Sequence, residues 1–285
     1  MEKELKQIVE PIVKWYQDQE KTLPWKQDKE PYHIWVSEIM LQQTRIEAVK
    51  KYYTRFMKEL PTIHDLANVP EEKLLKLWEG LGYYSRARNL KKAAIQIEQE
   101  YNGKLPTSYA ELLKLSGIGE YTAGAIASIS YKEKVPAVDG NVLRVVSRVL
   151  ASKEDVLLSE TKRKITKKLL EIMPDEPGDF NEGLMELGEK ICLPNTVPLC
   201  ETCPIQEFCI ANKENLTNEI PVRVKKQKRK IENKTVFILK YKNEIAIRKR
   251  EKTGILANLY EFPNVIRRNV RRGNSTSFRT MANTI

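Results

Sequence analysis

The stretch LSGIGEYTAGAI, residues 115–126, constrains the fold more than any other part of the chain. SYAELLKL before it and YTAGAIASIS after it both read as helices, so residues 116–119 must turn the chain through a tight hairpin. Gly117 and Gly119 give that hairpin backbone conformations that a Cβ would hinder. With side chains out of the way, its N–H groups and the N-terminus of the second helix can face a phosphate. That suits contact with a DNA backbone without readout of sequence. The same residues would serve an ordinary helix–helix turn equally well, and the hairpin by itself leaves both readings open.

A formal net charge of +11 over 285 residues favours a nucleic-acid partner in general, but the charge is unevenly placed. Residues 1–212 carry 30 Lys+Arg against 32 Asp+Glu, whereas residues 213–285 carry 19 against 6. Any DNA binding by the first part must therefore rest on local patches and backbone donors. The length suits one large or two modest domains. Charge stands where a signal peptide would be apolar and no long apolar run follows. The expectation is a soluble, cytoplasmic protein with no membrane partner, monomeric.

Up to residue 212 the pattern is helical. Between turn signals such as LPT (60–62), NVP (68–70) and NGKLPTS (102–108), apolar residues recur at helical spacing, with Val142, Val145, Val146, Val149 and Leu150 as one buried stripe. Thr44 with Glu47 and Ser108 with Glu111 have capping-box spacing and are expected to open helices. Past residue 212 the character changes. Residues 213–234 read as a basic linker, followed by TVFILKYK and EIAIRKR as short strands.

All four cysteines fall in CLPNTVPLCETCPIQEFC, spaced C-x7-C-x2-C-x5-C. In a reducing compartment such a cluster points to a metal site at Cys192, Cys200, Cys203 and Cys209 rather than to disulfides. Zinc accepts four thiolates and so does a [4Fe–4S] cluster, so spacing does not choose between them. His33 and His64 have no partner at a recognisable spacing, and no P-loop occurs.

Two carboxylates stand out. Glu38 in HIWVSEIML is flanked by Ile34, Trp35, Ile39, Met40 and Leu41, a setting that can raise its pKa, although a surface glutamate on an amphipathic helix would have the same spacing. Asp139 precedes the helix GNVLRVVSRVL at its N-cap, a position aspartate often takes for structural reasons alone.

Taken together, LSGIGEYTAGAI, the VDGN of 138–141 and the cysteine cluster resemble the endonuclease III superfamily of helix-hairpin-helix DNA glycosylases. Within it, LPW (23–25), PYHIWVSEIMLQQTRI (31–46), WEGLGYYSRARNL (78–90) and FNEGLMELGEKIC (180–192) are similar to the adenine DNA glycosylases of the MutY family, nearly without gaps from residue 10 to 212. The resemblance implies a mainly α fold in two catalytic subdomains: a helical barrel carrying the hairpin over 28–133, and a cluster domain built from 1–27 and 134–212. It also implies a [4Fe–4S] cofactor and a partner of double-stranded DNA bearing adenine opposite 8-oxoguanine or guanine. Adenine departs badly from its sugar as an anion. An acid must protonate it while negative charge supports the developing oxocarbenium ion, so two carboxylates in different environments are needed. The resemblance gives these roles to Glu38 and Asp139, with Asn141 as a polar neighbour of Asp139.

Other roles follow from the same motifs. Glycosylase/lyases of the superfamily carry a Schiff-base lysine where this chain has Tyr121, so the resemblance implies a monofunctional enzyme with Tyr121 lining the pocket and bonding near Asp139. Adenine must be flipped out of the duplex. Gln43 of LQQT matches the wedge that props the gap, Tyr83 matches a residue that stacks into the opposite strand, and Trp25 and Glu182 match the base pocket. Gln42 beside the wedge reads equally as a buried junction. Lys26 departs from the usual arginine and exchanges a planar fork for a point charge. The first cysteine gap is one residue longer than in the family, and it lacks the basic residues that often touch phosphate there. Two competing readings are an endonuclease III-type glycosylase/lyase and a non-catalytic helix-hairpin-helix DNA-binding protein.

Residues 235–285 resemble the opening of the MutT-like α/β domain of the family, here incomplete. From residue 265 onward there are five Arg and no Lys, Asp or Glu, against 33 Lys and 11 Arg before it. That switch is what a shifted reading frame would produce, and a basic phosphate-binding tail is the other reading.

Overall fold

A computed structural model describes residues 2–224, 231–254 and 256–266. The first unit, ending at Val224, is helical throughout. Helices α1 (Glu2–Gln7) and α2 (Val9–Gln17) lead through a single 3-10 turn at Pro24–Lys26 to α3 (Pro31–Leu41). The next four are α4 (Ile46–Glu59), α5 (Ile63–Asn68), α6 (Glu71–Trp78) and α7 (Ser85–Glu100). The short α8 (Tyr109–Leu112) precedes the hairpin and α9 (Glu120–Tyr131) follows it. Then come α10 (Gly140–Val149), α11 (Ser159–Leu170), α12 (Pro177–Lys190) and α13 (Ile210–Lys213).

Two hydrophobic cores divide this unit. One gathers buried side chains from Trp25 to Ala137, with Trp35, Phe56 and Trp78 as its bulkiest members. The other joins Leu5, Ile8 and Ile12 to side chains from Val138 to Ile205. The N-terminal helices therefore pack against the second half of the unit, α2 lying along α12. Helix α9 is buried from Thr122 to Ile129 and is touched by both α3 and α12, so it forms the wall between the cores. Of the stripe expected on α10, Val142, Val145, Val146 and Val149 are buried, while Leu150 is the C-cap and only partly covered.

Several local expectations are corrected. Thr44 does not cap α4. The N-cap is Arg45, with no side-chain bond, and Thr44 Oγ1 donates to the Gln42 carbonyl at 3.3 Å. Ser108 does accept from the Glu111 N–H at 3.3 Å, but the Glu111 carboxylate is taken by Tyr101 and Lys114, so the box is only half made. The reciprocal box is at Thr62 and Asp65, ahead of α5. In the hairpin only Gly117 needs to be glycine: its φ is +78°, and a Cβ there would meet Asn89 Cβ at 2.6 Å. Gly119 is the extended N-cap of α9, where a Cβ would meet nothing within 4 Å. The linker also begins later than expected. Ile220 is buried, Arg148 Nε donates to its carbonyl at 2.8 Å, and the Val156 N–H donates to the Val222 carbonyl at 3.1 Å. Residues 214–224 are thus a strap closed onto the second core.

In the second unit the described residues form three two-stranded antiparallel ladders. These pair β1 (Lys234–Val236) with β6 (Asn264–Ile266), β2 (Lys240–Tyr241) with β3 (Glu244–Ile245), and β4 (Arg248–Lys249) with β5 (Tyr260–Glu261). No helix occurs among the described residues from 231 to 266, and Ile238, Tyr241, Ile247 and Tyr260 are exposed. The composition switch falls almost wholly on residues 267–285, outside the described residues.

Candidate active site

Where the two cores meet there is a cleft of about 1080 Å³ that both Glu38 and Asp139 line. Helix α3 starts with Pro31 at its first turn, where the missing N–H costs nothing. It is buried on nearly every side from Tyr32 to Met40, so a carboxylate on it cannot avoid the interior. Glu38 retains 9 % exposure, on its cleft side. Burial pushes its carboxyl up to about 7, with Glu182 and Asp139 adding repulsion, while the Tyr121 hydrogen bond and Lys26 pull the other way. The Tyr121 hydroxyl donates to Glu38 Oε2 at 2.6 Å and also touches Met185 Sδ at 3.0 Å. The hydrogen bond expected near Asp139 is made to Glu38, with all three residues lining the one cleft. Because Oε2 is occupied, Oε1 is the oxygen left to carry a proton.

Asp139 caps α10. Its Oδ1 accepts from the Val142 N–H at 2.8 Å and its Oδ2 from Asn141 Nδ2 at 2.9 Å. Burial is the largest influence and raises its pKa despite these donors and Arg144. The cap orients the carboxylate, while burial outweighs its donors in setting the direction of the shift. Asn141 is itself held: Arg144 Nη2 donates to Asn141 Oδ1 at 2.9 Å and to the Gly188 carbonyl at 2.6 Å. Gly188 is small by necessity, since a Cβ would lie 2.6 Å from Asn141 Cβ.

Trp25, Lys26, Gln42, Gln43 and Glu182 line the same cleft. Trp25 is edge-on to Tyr53 with ring centroids 5.4 Å apart. Lys26 Nζ lies 2.7 Å from Glu186 Oε2 and 3.5 Å from Glu182 Oε1. Burial opposes its charge, but the two glutamates outweigh that and hold its pKa above the usual lysine value. Glu186 is in turn bridged by Lys190. Met185, Glu186, Glu189 and Lys190 were not singled out in the sequence, although they repeat from Glu182 at the three-and-four spacing of one face of α12.

Tyr83 does not line the cleft. It is 59 % exposed at φ +48°, and Gln43 has φ +57°, so both stand on left-handed turns where a side chain is thrown outward at some cost in strain. One residue ties these two turns together, and no sequence signal marks it. Arg86 Nη1 donates to the carbonyls of Ile39, Met40 and Gln42, while Nη2 donates to Thr44 Oγ1 and the carbonyls of Leu81 and Gly82. Arg86 also shares a small pocket with Gln42, Ser116 and Gly117, which brings the hairpin against the same turns. No acceptor among the described residues takes the N–H of Gly117 or Gly119. Replacing Arg86 by alanine should lower duplex affinity and excision rate together by at least about tenfold, since each lost charged hydrogen bond is worth roughly 1.5–3 kcal/mol. Lysine should not rescue, because one ammonium cannot fork between two turns. The pH at which excision falls off should stay where it is, which separates this positioning role from general damage to the site.

The four cysteines line a single small pocket with apolar walls from Val145, Val149, Leu187 and Ile205. The longer first gap is taken up by a loop whose Leu199 N–H returns to the Ile191 carbonyl at 2.9 Å, with Asn195 at φ +55°. Arg148 Nη1 lies 3.2 Å from Cys192 Sγ. Burial pushes the Cys203 thiol up to about 12. Four sulfurs around one pocket are a suitable donor set for a thiolate-bound group, although among the described residues no three His, Cys, Asp or Glu side chains stand as the ligand set of a metal ion.

Residues 36–175 match the family model of the HhH-GPD superfamily of base excision DNA repair proteins. The chain is 41 % identical over 264 residues to an adenine DNA glycosylase of Buchnera aphidicola subsp. Baizongia pistaciae, covering 90 % of this chain and 74 % of that one. The chain belongs to the adenine DNA glycosylase family. It is a DNA N-glycosylase of base excision repair, which sets aside the non-catalytic reading. An adenine DNA glycosylase of Arabidopsis thaliana is 37 % identical over 308 residues, covering 93 % of this chain and 48 % of its own length. The solved structure of endonuclease III in a non-covalent complex with DNA matches with a TM-score of 0.63 and 25 % identity, over 76 % of this chain and 98 % of that one. Membership in the family brings DNA as the substrate. No helix among the described residues is long and apolar enough to cross a membrane.

Proposed function

We propose that this protein hydrolyses the glycosidic bond of adenine mispaired with 8-oxoguanine or guanine, with Glu38 as acid and Asp139 as the charge that supports the sugar cation. The observation that carries the reading is the raised Glu38 carboxyl, hydrogen-bonded on one oxygen and open to the cleft on the other. Protonated Glu38 passes its proton to the departing adenine. The glycosidic bond breaks with its electron pair going to the base, and the positive charge left on the sugar is stabilised by the oriented Asp139 carboxylate. Water then adds to the sugar and gives up a proton to the carboxylate left on Glu38, which restores the acid. Single-turnover excision on duplexes with adenine opposite 8-oxoguanine, guanine or thymine tests the substrate. The first two should release adenine and the third should not.

The monofunctional reading rests on the amines. Tyr121 supplies none, and the lysines that line the cleft are held as ion pairs: Lys26 by Glu182 and Glu186, Lys190 by Glu186 and Lys50 by Glu47. A protonated, paired lysine is a poor nucleophile. Borohydride added during turnover should therefore trap little or no enzyme–DNA adduct, and efficient trapping would move the chain to the lyase branch.

The unpaired hairpin N–H groups of Gly117 and Gly119 suit a DNA phosphate, and Gln43 and Tyr83, on their braced turns, suit the wedge and the opposite-strand contact. For the cofactor, Cys192, Cys200, Cys203 and Cys209 would hold a [4Fe–4S] cluster. Such a cluster would cross-link Cys192, just past the end of α12, to the 200–209 segment, and would supply a redox centre. Iron and acid-labile sulfide in the purified protein, lost when Cys203 is replaced by serine, would support this.

A further inference from the structure

Against the second core, outside the lining of the cleft, three arginines converge with no acid among them. Arg144, Arg148 and Arg223 line a pocket of about 330 Å³ together with Asn195, Thr196 and Asn218, and it shares no lining residue with the catalytic cleft. Two of the guanidiniums are fixed by the fold. Arg144 Nε donates to the Cys192 carbonyl at 2.8 Å, while Arg148 is anchored through Nε to the Ile220 carbonyl and through Nη1 to the Leu193 carbonyl at 3.1 Å. Donors are left over. Arg148 Nη2 has no acceptor among the described residues, and Arg144 Nη1 has only the Gly140 carbonyl at 3.5 Å. Arg223, exposed on the strap, has neither an ion pair nor a hydrogen bond among the described residues. Three guanidiniums lining one pocket that has no carboxylate in its wall suit an anion.

We propose that this pocket is a phosphate site and that the group it takes is a phosphodiester of the DNA backbone. Guanidinium forks match phosphate oxygens, and the amides and hydroxyl at the rim offer further donors. DNA is the source favoured by the charge distribution. Residues 1–212 are close to neutral, and the loop between Cys192 and Cys200 has no Lys or Arg, so backbone contact on this side needs a local patch of this kind. The strap that brings Arg223 to α10 is what completes the patch. The inference rests on DNA being the substrate but not on the excision chemistry.

The test uses the full-length protein and a fully paired duplex without a mispair, so that binding is read independently of adenine excision. In Arg223→Ala the slope of log affinity against log salt should become shallower by about 0.9, the value for one phosphate contact, with affinity roughly threefold to tenfold lower. Arg223→Lys should keep most of both. Excision at saturating mispaired DNA should not change, and an unaltered melting temperature without phosphate would show that the variant is folded. In a second arm, inorganic phosphate should raise the melting temperature of the wild type and not of Arg223→Ala. Loss of that stabilisation with an unchanged salt slope would overturn the DNA assignment and leave a site for free phosphate. If neither quantity changes, the site itself is overturned.

Discussion

Replacing Glu38 by glutamine should lower single-turnover adenine excision by about 10²–10⁴-fold while duplex binding stays close to wild type, the range that loss of a positioned general acid produces. Glutamine keeps the volume and can still accept from the Tyr121 hydroxyl, so only the transferable proton is lost. The variant should also be more stable than wild type at about pH 8. The folded Glu38 carboxyl lies at about 7, above its ordinary value, so its contribution to stability is present at low pH and is lost as pH rises through about 7. Glutamine does not suffer that loss, and its advantage in melting temperature should shrink at about pH 5.5. Near wild-type excision by the variant would remove Glu38 from the mechanism.

Asp139→Asn should cost about 10²–10³-fold in the same assay, the scale for removing a preorganised charge-stabilising group. The amide oxygen can still accept from the Val142 N–H, so α10 stays capped and the fold survives. Alanine should lose the cap as well, adding about 1 kcal/mol of destabilisation. An asparagine variant that binds duplex and excises at the wild-type rate would show that Asp139 is only a cap.

Much of this site was legible because its residues sit in contiguous motifs. Glu38 lies in an apolar run and Asp139 ahead of a clear helical stripe, and both project into one cleft. The cysteines were legible by count and spacing, and the hairpin by its glycines. What the sequence hid was mainly contact between distant segments. The partner of Tyr121 is Glu38, 83 residues away. Arg86 reaches carbonyls 44 to 47 residues earlier, and backbone carbonyls leave no trace in residue identity. Thr44 fails as a cap because its hydroxyl is turned to the Gln42 carbonyl and to Arg86, so tertiary contact overrides a local signal. Residues 214–224 read as linker because their composition is polar, yet the buried Ile220 side chain, a bond from Arg148 to the Ile220 carbonyl and a backbone bond from Val156 to Val222 seat them. The short ladders beyond residue 231 were visible as alternating apolar segments, but not how little of them is covered.

The most direct test of Glu38 as the acid is the pH dependence of single-turnover excision on a duplex with adenine opposite 8-oxoguanine. The wild-type rate should fall about tenfold per unit above an apparent pKa near 7, because only the protonated carboxyl can transfer to adenine. The residual activity of Glu38→Gln should lack that alkaline limb. In Tyr121→Phe the limb should move to higher pH, since the phenol that favours the Glu38 carboxylate is gone. A wild-type rate that is flat from about pH 6 to 9, or an alkaline limb that persists unchanged in Glu38→Gln, would contradict the account.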